Sequence, residues 1–163
     1  MMTRATLGEE ILPHLPHLRA FARFLARDDA QAQDLVQDAV MRALSKAHQF
    51  IPGTNLKAWL TMILRNGFYN DLRRKGRRPE VSLEIVGDTT SVAGDQESAL
   101  RMRDFQRGFA QLTVSQREAL LLVGASGFSY QEAAGIARCA VGTMKSRVSR
   151  ARAELSGLMA GER

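Results

Sequence analysis

Cysteine occurs once in these 163 residues, at Cys139. One thiol excludes an internal disulfide and any zinc site built from several cysteines. Histidine is almost as scarce: His14 and His17 sit three apart and His48 lies far off, with no Glu or Cys to complete a ligand set. No metal and no cofactor is therefore expected. Long apolar runs are missing too, and the longest, 119–125, falls far short of the ~20 residues that a membrane helix needs. No segment alternates like a half-buried strand, so no Gly-rich loop follows a strand and no nucleotide-binding loop is expected. The first thirty residues mix Arg, Asp and Glu with apolar positions, unlike a signal peptide. With 45% hydrophobic and 25% charged residues, the chain is globular rather than disordered. These absences leave a reduced, cytoplasmic, all-α chain that catalyses nothing itself, long enough for one ordinary domain or two small ones at ~100–200 residues each.

The charge that is present is unevenly placed. Residues 1–79 carry 13 Lys+Arg against 7 Asp+Glu, and residues 100–163 carry 10 against 5. Between them, residues 80–99 hold five acids and no base. Two basic blocks joined by an acidic stretch suggest two modules that meet a polyanion, tied by a linker that does not.

Periodicity is helical on both sides of that stretch. Leu15, Leu18, Phe21, Ala22 and Leu25 form one stripe behind Pro13 and Pro16, which stand where a helix start tolerates a missing N–H. Asp28 and Asp29 supply cap chemistry for a second helix with apolar positions from Ala32 to Ala47. The segment Phe50-Ile-Pro-Gly-Thr-Asn55 reads as a turn whose Asn55 caps a third helix, Leu56 to Arg74. Trp59, Leu60, Ile63, Leu64, Phe68 and Leu72 face inward there, and a basic run through Arg78 closes it. Residues 80–97 read as a flexible linker. Helical periodicity resumes near Ser98, and two capping boxes follow. Thr113-Val-Ser-Gln116 opens a helix through Gly124, and Ser129-Tyr-Gln-Glu132 opens a short one through Ala137. After Arg138-Cys-Ala140, a last helix places Val141, Met144, Val148, Ala151, Leu155 and Leu158 on one face.

A short capped helix, a tight turn and a longer helix make a helix-turn-helix, the geometry that sets a recognition helix in the major groove. Away from the apolar stripe the last helix presents Thr143, Lys145, Ser146, Ser149, Arg150 and Arg152, with Arg147 among them. Cationic donors mixed with small hydroxyls suit base-edge and phosphate contact. In the first block, Arg65, Arg73, Arg74, Lys75, Arg77 and Arg78 would give a second track for a DNA backbone. Phe50, Trp59, Phe68 and Tyr69 nearby are of the kind that stack on an unpaired base, although Trp59 and Phe68 fall on the apolar stripe and belong to the core.

Three sets of residues carry a resemblance: Asp34-Leu-Val-Gln-Asp-Ala-Val-Met-Arg42; Phe50-x-x-Gly-x-x-x-x-Ala-Trp-Leu60 with Leu64-Arg-Asn66; and Ser129-Tyr-Gln-Glu-Ala-Ala with Val141-Gly-Thr-Met-Lys-Ser-Arg-Val-Ser-Arg-Ala-Arg152. In this order, over nearly the whole chain, they resemble an extracytoplasmic-function sigma factor of RNA polymerase. Gly-Ala-Ser-Gly-Phe-Ser-Tyr (124–130) is similar to the general-stress-response subgroup of alphaproteobacteria.

The resemblance implies two helical domains, sigma region 2 at 8–79 and the region 4 helix-turn-helix at 98–160, joined by a flexible acidic linker at 80–97. It implies that Asp34, Gln37, Asp38, Met41 and Arg42 dock on the β′ clamp helices of core RNA polymerase, while region 4 meets the β flap. Phe50, Asn55, Asn66, Arg65, Arg73 and Arg74 would serve the minus-10 element, capturing a flipped-out base and holding the strand open. Lys145, Ser146, Ser149 and Arg150, with Thr143, Arg147 and Arg152, would read the minus-35 element. The implied regulator is an anti-sigma factor of the NepR type, released by a PhyR-type response regulator; no membrane and no small-molecule substrate is implied. Two rivals are a sigma-like decoy, which would lose the DNA-reading bases this chain keeps, and a stand-alone helix-turn-helix regulator, which would not need the 34–42 and 59–66 matches. With two apolar cores and no apolar run joining them, the two domains of the free chain are expected to move independently, and a partner to compact them.

Overall fold

A computed structural model describes residues 2–26, 28–76 and 95–161, and within these the chain is all-α with no strand. Four helices form the first module: α1 Arg4–Ile11, α2 Leu15–Leu25, α3 Asp29–Ser45 and α4 Leu56–Arg74. Four form the second: α5 Gln96–Gln111, α6 Val114–Leu120, α7 Tyr130–Ala137 and α8 Val141–Gly161.

The caps stand where the side-chain chemistry places them. Asp28 accepts from the Gln31 N–H to start α3, and Asn55 from the Ala58 N–H to start α4. Both capping boxes are complete, Thr113 with Gln116 on α6 and Ser129 with Glu132 on α7. Each satisfies two backbone donors that the first turn of a helix leaves open. α4 follows a turn in which the Thr54 N–H donates to the Ile51 carbonyl at 3.2 Å, and Gly53 takes φ +86° there, as the position after Pro52 requires.

Several expectations are corrected. α1 lies largely ahead of the expected boundary at residue 8: its Leu7 and Ile11 are buried under α3. α5 begins at Gln96, so residues 96 and 97 belong to the helix and not to the linker. The rest of the expected linker, and Arg77 and Arg78, lie outside the described residues. α6 stops at Leu120, and Leu121–Ala125 continue as a π-helical turn closed by the Ser126 N–H on the Leu121 carbonyl. Val141 is 37% exposed, because the first residue of α8 projects past the helix it was expected to pack on.

The largest correction concerns the core. A single apolar cluster runs through both modules, from Leu18 and Phe21 of α2 through Leu60 and Leu64 of α4 to Met144 and Val148 of α8. α7 makes the join. Its Ala133, Ala134 and Ala137 are small enough for α4 to approach one side while α8 packs on the other. A second, smaller cluster of Phe109, Leu112 and Ala151 takes in Phe24 of α2, whose ring lies 5.7 Å from that of Phe109. The modules are packed together in this structure rather than independent.

Candidate nucleic-acid interface

α8 buries Met144, Val148 and Ala151 and turns the residues between them outward. Thr143, Lys145, Ser149, Arg150 and Arg152 are exposed; Ser146 and Arg147 are half-buried. Lys145 extends over the Tyr130 ring of α7 at 5.8 Å, which sets its stem beside the helix-turn-helix corner. That corner turns on Arg138, whose φ of 54° is the one left-handed non-glycine conformation among the described residues. Arg147 lies at the flank facing α4, near enough to the Tyr69 hydroxyl for its charge to offset part of the rise that burial and Glu118 impose there.

In α4 the expected residues separate into open and occupied. Arg73 and Arg74 are exposed at the C-terminal end, with Arg74 paired to Asp71. Asn66 is half-buried. Phe50 is only 5% exposed, its ring 5.1 Å from that of Trp59, so it lines the core beneath the turn. Ile51, which the sequence reading passed over, is 67% exposed at the tip of the same turn. An isoleucine next to Pro-Gly has no buried face available, and that is the signal that could have found it.

Arg65 and Asn55 are held by the other module. Arg65 bonds Glu118 of α6 through Nε and through Nη2, the latter 3.3 Å from Oε2, and its guanidinium lies 4.5 Å over the Tyr69 ring. The pair is out of solvent, with side-chain exposures of 14% and 4%. Burial is the largest influence on Arg65 and pulls its pKa down, but the hydrogen bond and negative charge of Glu118 outweigh it and raise the value above normal. Tyr69 is also raised, first by burial and then by the Glu118 charge. Asn55 uses both ends of its amide: the oxygen caps α4 and Nδ2 donates to Glu132 of α7. That bond, together with the Ser129 backbone N–H, lowers the Glu132 pKa, the backbone bond being the larger cause. Between them, Lys57 Nζ donates to the Ser126 carbonyl at 2.7 Å and lies 5.2 Å over the Phe128 ring.

α3 presents the third surface. Asp34, Gln37, Asp38 and Met41 are exposed, Met41 by 62%, while Arg42 is half-buried and lies across Gly67 of α4, where a Cβ would come within 3.2 Å of its Nη1. Beside Met41, a groove lined by Arg4, Ala5, Gly8 and Leu44 separates α3 from α1. Among the described residues no cluster of His, Cys, Asp and Glu could hold a metal, and no helix is long and apolar enough to cross a membrane.

Comparison with known proteins decides the family. Residues 11–78 match the model of Sigma-70 region 2, and residues 97–155 that of Sigma-70 region 4. An ECF RNA polymerase sigma factor, EcfG of Rhodopseudomonas palustris, is 47% identical over 94% of this chain and 85% of its own length. The chain belongs to the ECF family of RNA polymerase sigma factors. Another member, SigM of Mycobacterium tuberculosis, is 34% identical over 90% of this chain and 73% of its own. Among solved structures, the sigma factor RpoE of Bartonella quintana, in complex with the anti-sigma factor NepR, has 44% identity and a TM-score of 0.74, covering 96% of this chain and 98% of that one. In this ECF sigma factor the region 2 match covers α2–α4 and the region 4 match covers α5–α7 and α8 through residue 155, the helix-turn-helix among them.

Proposed function

We propose that this sigma factor directs core RNA polymerase to promoters of the general stress response, working in the cytoplasm as a specificity subunit with no catalysis of its own. Region 2, taken as 8–79 and extended by α1, docks on the polymerase β′ clamp helices through Asp34, Gln37, Asp38, Met41 and Arg42. α4 and the turn before it serve the minus-10 element through Asn55, Arg65, Asn66, Arg73 and Arg74, with Ile51 added at the tip of the turn. Region 4, taken as 98–160, reads the minus-35 element through Lys145, Ser146, Ser149 and Arg150 and grips phosphates through Arg147, Arg152 and Thr143. Region 4 also meets the β flap. The regulatory partner is an anti-sigma factor of the NepR type, the kind of protein with which the Bartonella quintana relative was solved.

One observation carries this reading. The outer face of α8 holds exposed Lys145, Arg150 and Arg152 among small hydroxyls, directly behind a capped α7. An amphipathic helix that only solvates its outer face has no need to gather cations and hydroxyls behind a left-handed turn.

Run-off transcription with purified core polymerase tests it, on promoters carrying a GGAA(C)-type minus-35 element. Transcripts that depend on both the sigma factor and that element are expected. Equal transcription from promoters with the element scrambled would refute it.

A further inference from the structure

Among the described residues, three cations lie over aromatic rings: Lys57 over Phe128, Arg65 over Tyr69 and Lys145 over Tyr130, at 5.2, 4.5 and 5.8 Å from the ring centres. The first two also bond an oxygen, Lys57 the Ser126 carbonyl and Arg65 the Glu118 carboxylate. Lys145 forms no ion pair or hydrogen bond with any described residue, so the ring is what holds it. That difference is chemical. A carboxylate takes up the donors of the cation that it holds, whereas the face of a ring attracts the charge and leaves the N–H groups open to an oxygen or a ring nitrogen. We propose that Tyr130 is a positioning residue for minus-35 recognition, its ring steadying Lys145 at the edge of α8 with its donors open to a base. This rests on the assignment of Lys145 to the minus-35 element made above.

The place of Lys145 on α8 explains why it needs a guide. At roughly 100° per residue it lies about 90° round the helix from the centre of the buried row Met144, Val148 and Ala151, whereas Ser146 lies about 170° round. Ser146 thus projects from the middle of the outer face and Lys145 from its edge, on the side of α7. A four-carbon stem leaving the edge has many rotamers, and only some of them bring the ammonium to the groove that the middle of the face enters. Ordering a lysine side chain carries one of the larger entropy costs of any residue. A ring already in place lowers that cost before DNA arrives.

The ring itself is fixed without DNA. Tyr130 is the first residue of α7, which the complete capping box of Ser129 and Glu132 starts. Its side chain is half-buried and packs against the shared apolar cluster, and its hydroxyl bonds no described residue. With two side-chain torsions and part of the ring in the core, little freedom remains to it. The contact spans the helix-turn-helix corner, so α7 sets the direction of a side chain that α8 carries. Lysine donors suit the O6 and N7 acceptors of guanine. The specificity that Tyr130 governs is accordingly that of one guanine-containing pair.

The test uses the full chain and a fluorescein-labelled duplex carrying a minus-35 element, with competitors altered one base pair at a time, read by anisotropy at fixed salt. Lys145→Met is expected to lower discrimination at one base pair and so identifies it. Tyr130→Leu should lower discrimination at that pair about two- to fivefold, the range of an exposed cation–ring contact, and leave the other pairs alone. Tyr130→Phe keeps the ring and should match the parent. In the Lys145→Met background, Tyr130→Leu should add nothing at that pair. If Tyr130→Leu leaves every pair unchanged while Lys145→Met does not, the positioning is overturned and the reading role of Lys145 survives. An equal effect of Tyr130→Leu with and without Lys145 overturns it in favour of packing. A uniform loss on all duplexes from Tyr130→Phe overturns it in favour of a phosphate contact by the hydroxyl. If Lys145→Met lowers discrimination at no pair, the reading role of Lys145 fails and the positioning with it. Circular dichroism identifies a misfolded variant, and Tyr130→Met, whose flexible side chain adapts to the vacated space, carries the test should Tyr130→Leu fail to fold.

Discussion

Arg150 is the residue at which promoter reading separates most cleanly from folding. At roughly 100° per residue it lies about 130° round α8 from the centre of the buried row Met144, Val148 and Ala151. It is exposed and makes no hydrogen bond or ion pair with any described residue. Arg150→Ala should therefore leave stability within about 0.5 kcal/mol, the usual range for surface positions. If its guanidinium engages a guanine edge, the same change should remove ~1–3 kcal/mol of discrimination, about 5- to 160-fold in relative affinity. Met144→Ala supplies the contrast: that side chain is 1% exposed inside the shared core, and truncation should destabilise by ~2–5 kcal/mol. The assay is a competition titration of duplexes that differ by single minus-35 substitutions, at constant salt, beside thermal unfolding of both variants. A folded Arg150→Ala that weakens on every duplex alike, with a salt slope shallower by about one, would assign Arg150 to a phosphate. A folded Arg150→Ala with unchanged affinity and unchanged selectivity would refute the placement of the reading face on this side of α8.

Three further outcomes follow from single positions. Asp38→Arg, on the exposed face of α3, should lower binding to core polymerase in a pull-down while the far-ultraviolet spectrum stays the same; undiminished capture would move the docking surface elsewhere. His17, half-buried between Phe21 and Phe128, bonds the Thr61 hydroxyl at 2.8 Å and is lowered from 6.5 to about 4, first by burial and then by the Lys57 charge. Its neutral form is the folded one, so its contribution is complete above pH 6.5 and is lost as pH falls towards 4; His17→Gln should flatten that acid limb, by ~1–3 kcal/mol once solvent at the half-buried ring is allowed for. Arg138→Gly should raise the midpoint of thermal unfolding, because the left-handed turn costs about 1 kcal/mol with a Cβ and little without one; a lowered midpoint would mean that the arginine side chain holds the corner.

Much of the secondary structure was legible because end signals are local. Asn55 and the basic exit bound α4 at Leu56 and Arg74, and the two capping boxes placed the starts of α6 and α7 to the residue. α1 was not legible, since only Leu7 and Ile11 anchor it and two apolar residues four apart define no stripe. Periodicity names the buried face of a helix without naming what covers it. The alanines of α7 illustrate this: Ala133, Ala134 and Ala137 read as one face of a helix-turn-helix, yet they receive α4 as well as α8. The family motifs pointed to Arg65, Asn55 and the α8 face as chemistry. That Arg65 meets Glu118, 53 residues away across a stretch rich in turn residues, has no counterpart in local sequence.

The polar character of the join bears on how a two-module sigma factor can be switched. A buried ion pair adds little net stability over well-packed apolar side chains, because desolvation of both charges offsets most of their attraction. Removing one partner is a different matter, since it strands the other charge at a cost of about 3–5 kcal/mol. Arg65 with Glu118 thus adds geometric specificity at α4 to an apolar join that runs from Leu60 and Leu64 to Met144 and Val148, provided that each charge finds a new partner on opening. DNA supplies one for Arg65, and water supplies one for Glu118. The small alanines of α7 let α4 and α8 come close within this shared apolar cluster. Substituting one of these alanines with leucine, for instance Ala137→Leu, tests the balance directly. At this buried position the added bulk overpacks the contact, so it should force the modules apart and tighten binding to the minus-10 strand. A variant that instead binds that strand more weakly, with helicity and unfolding midpoint unchanged, would show that the packed arrangement assists the α4 surface and does not restrain it.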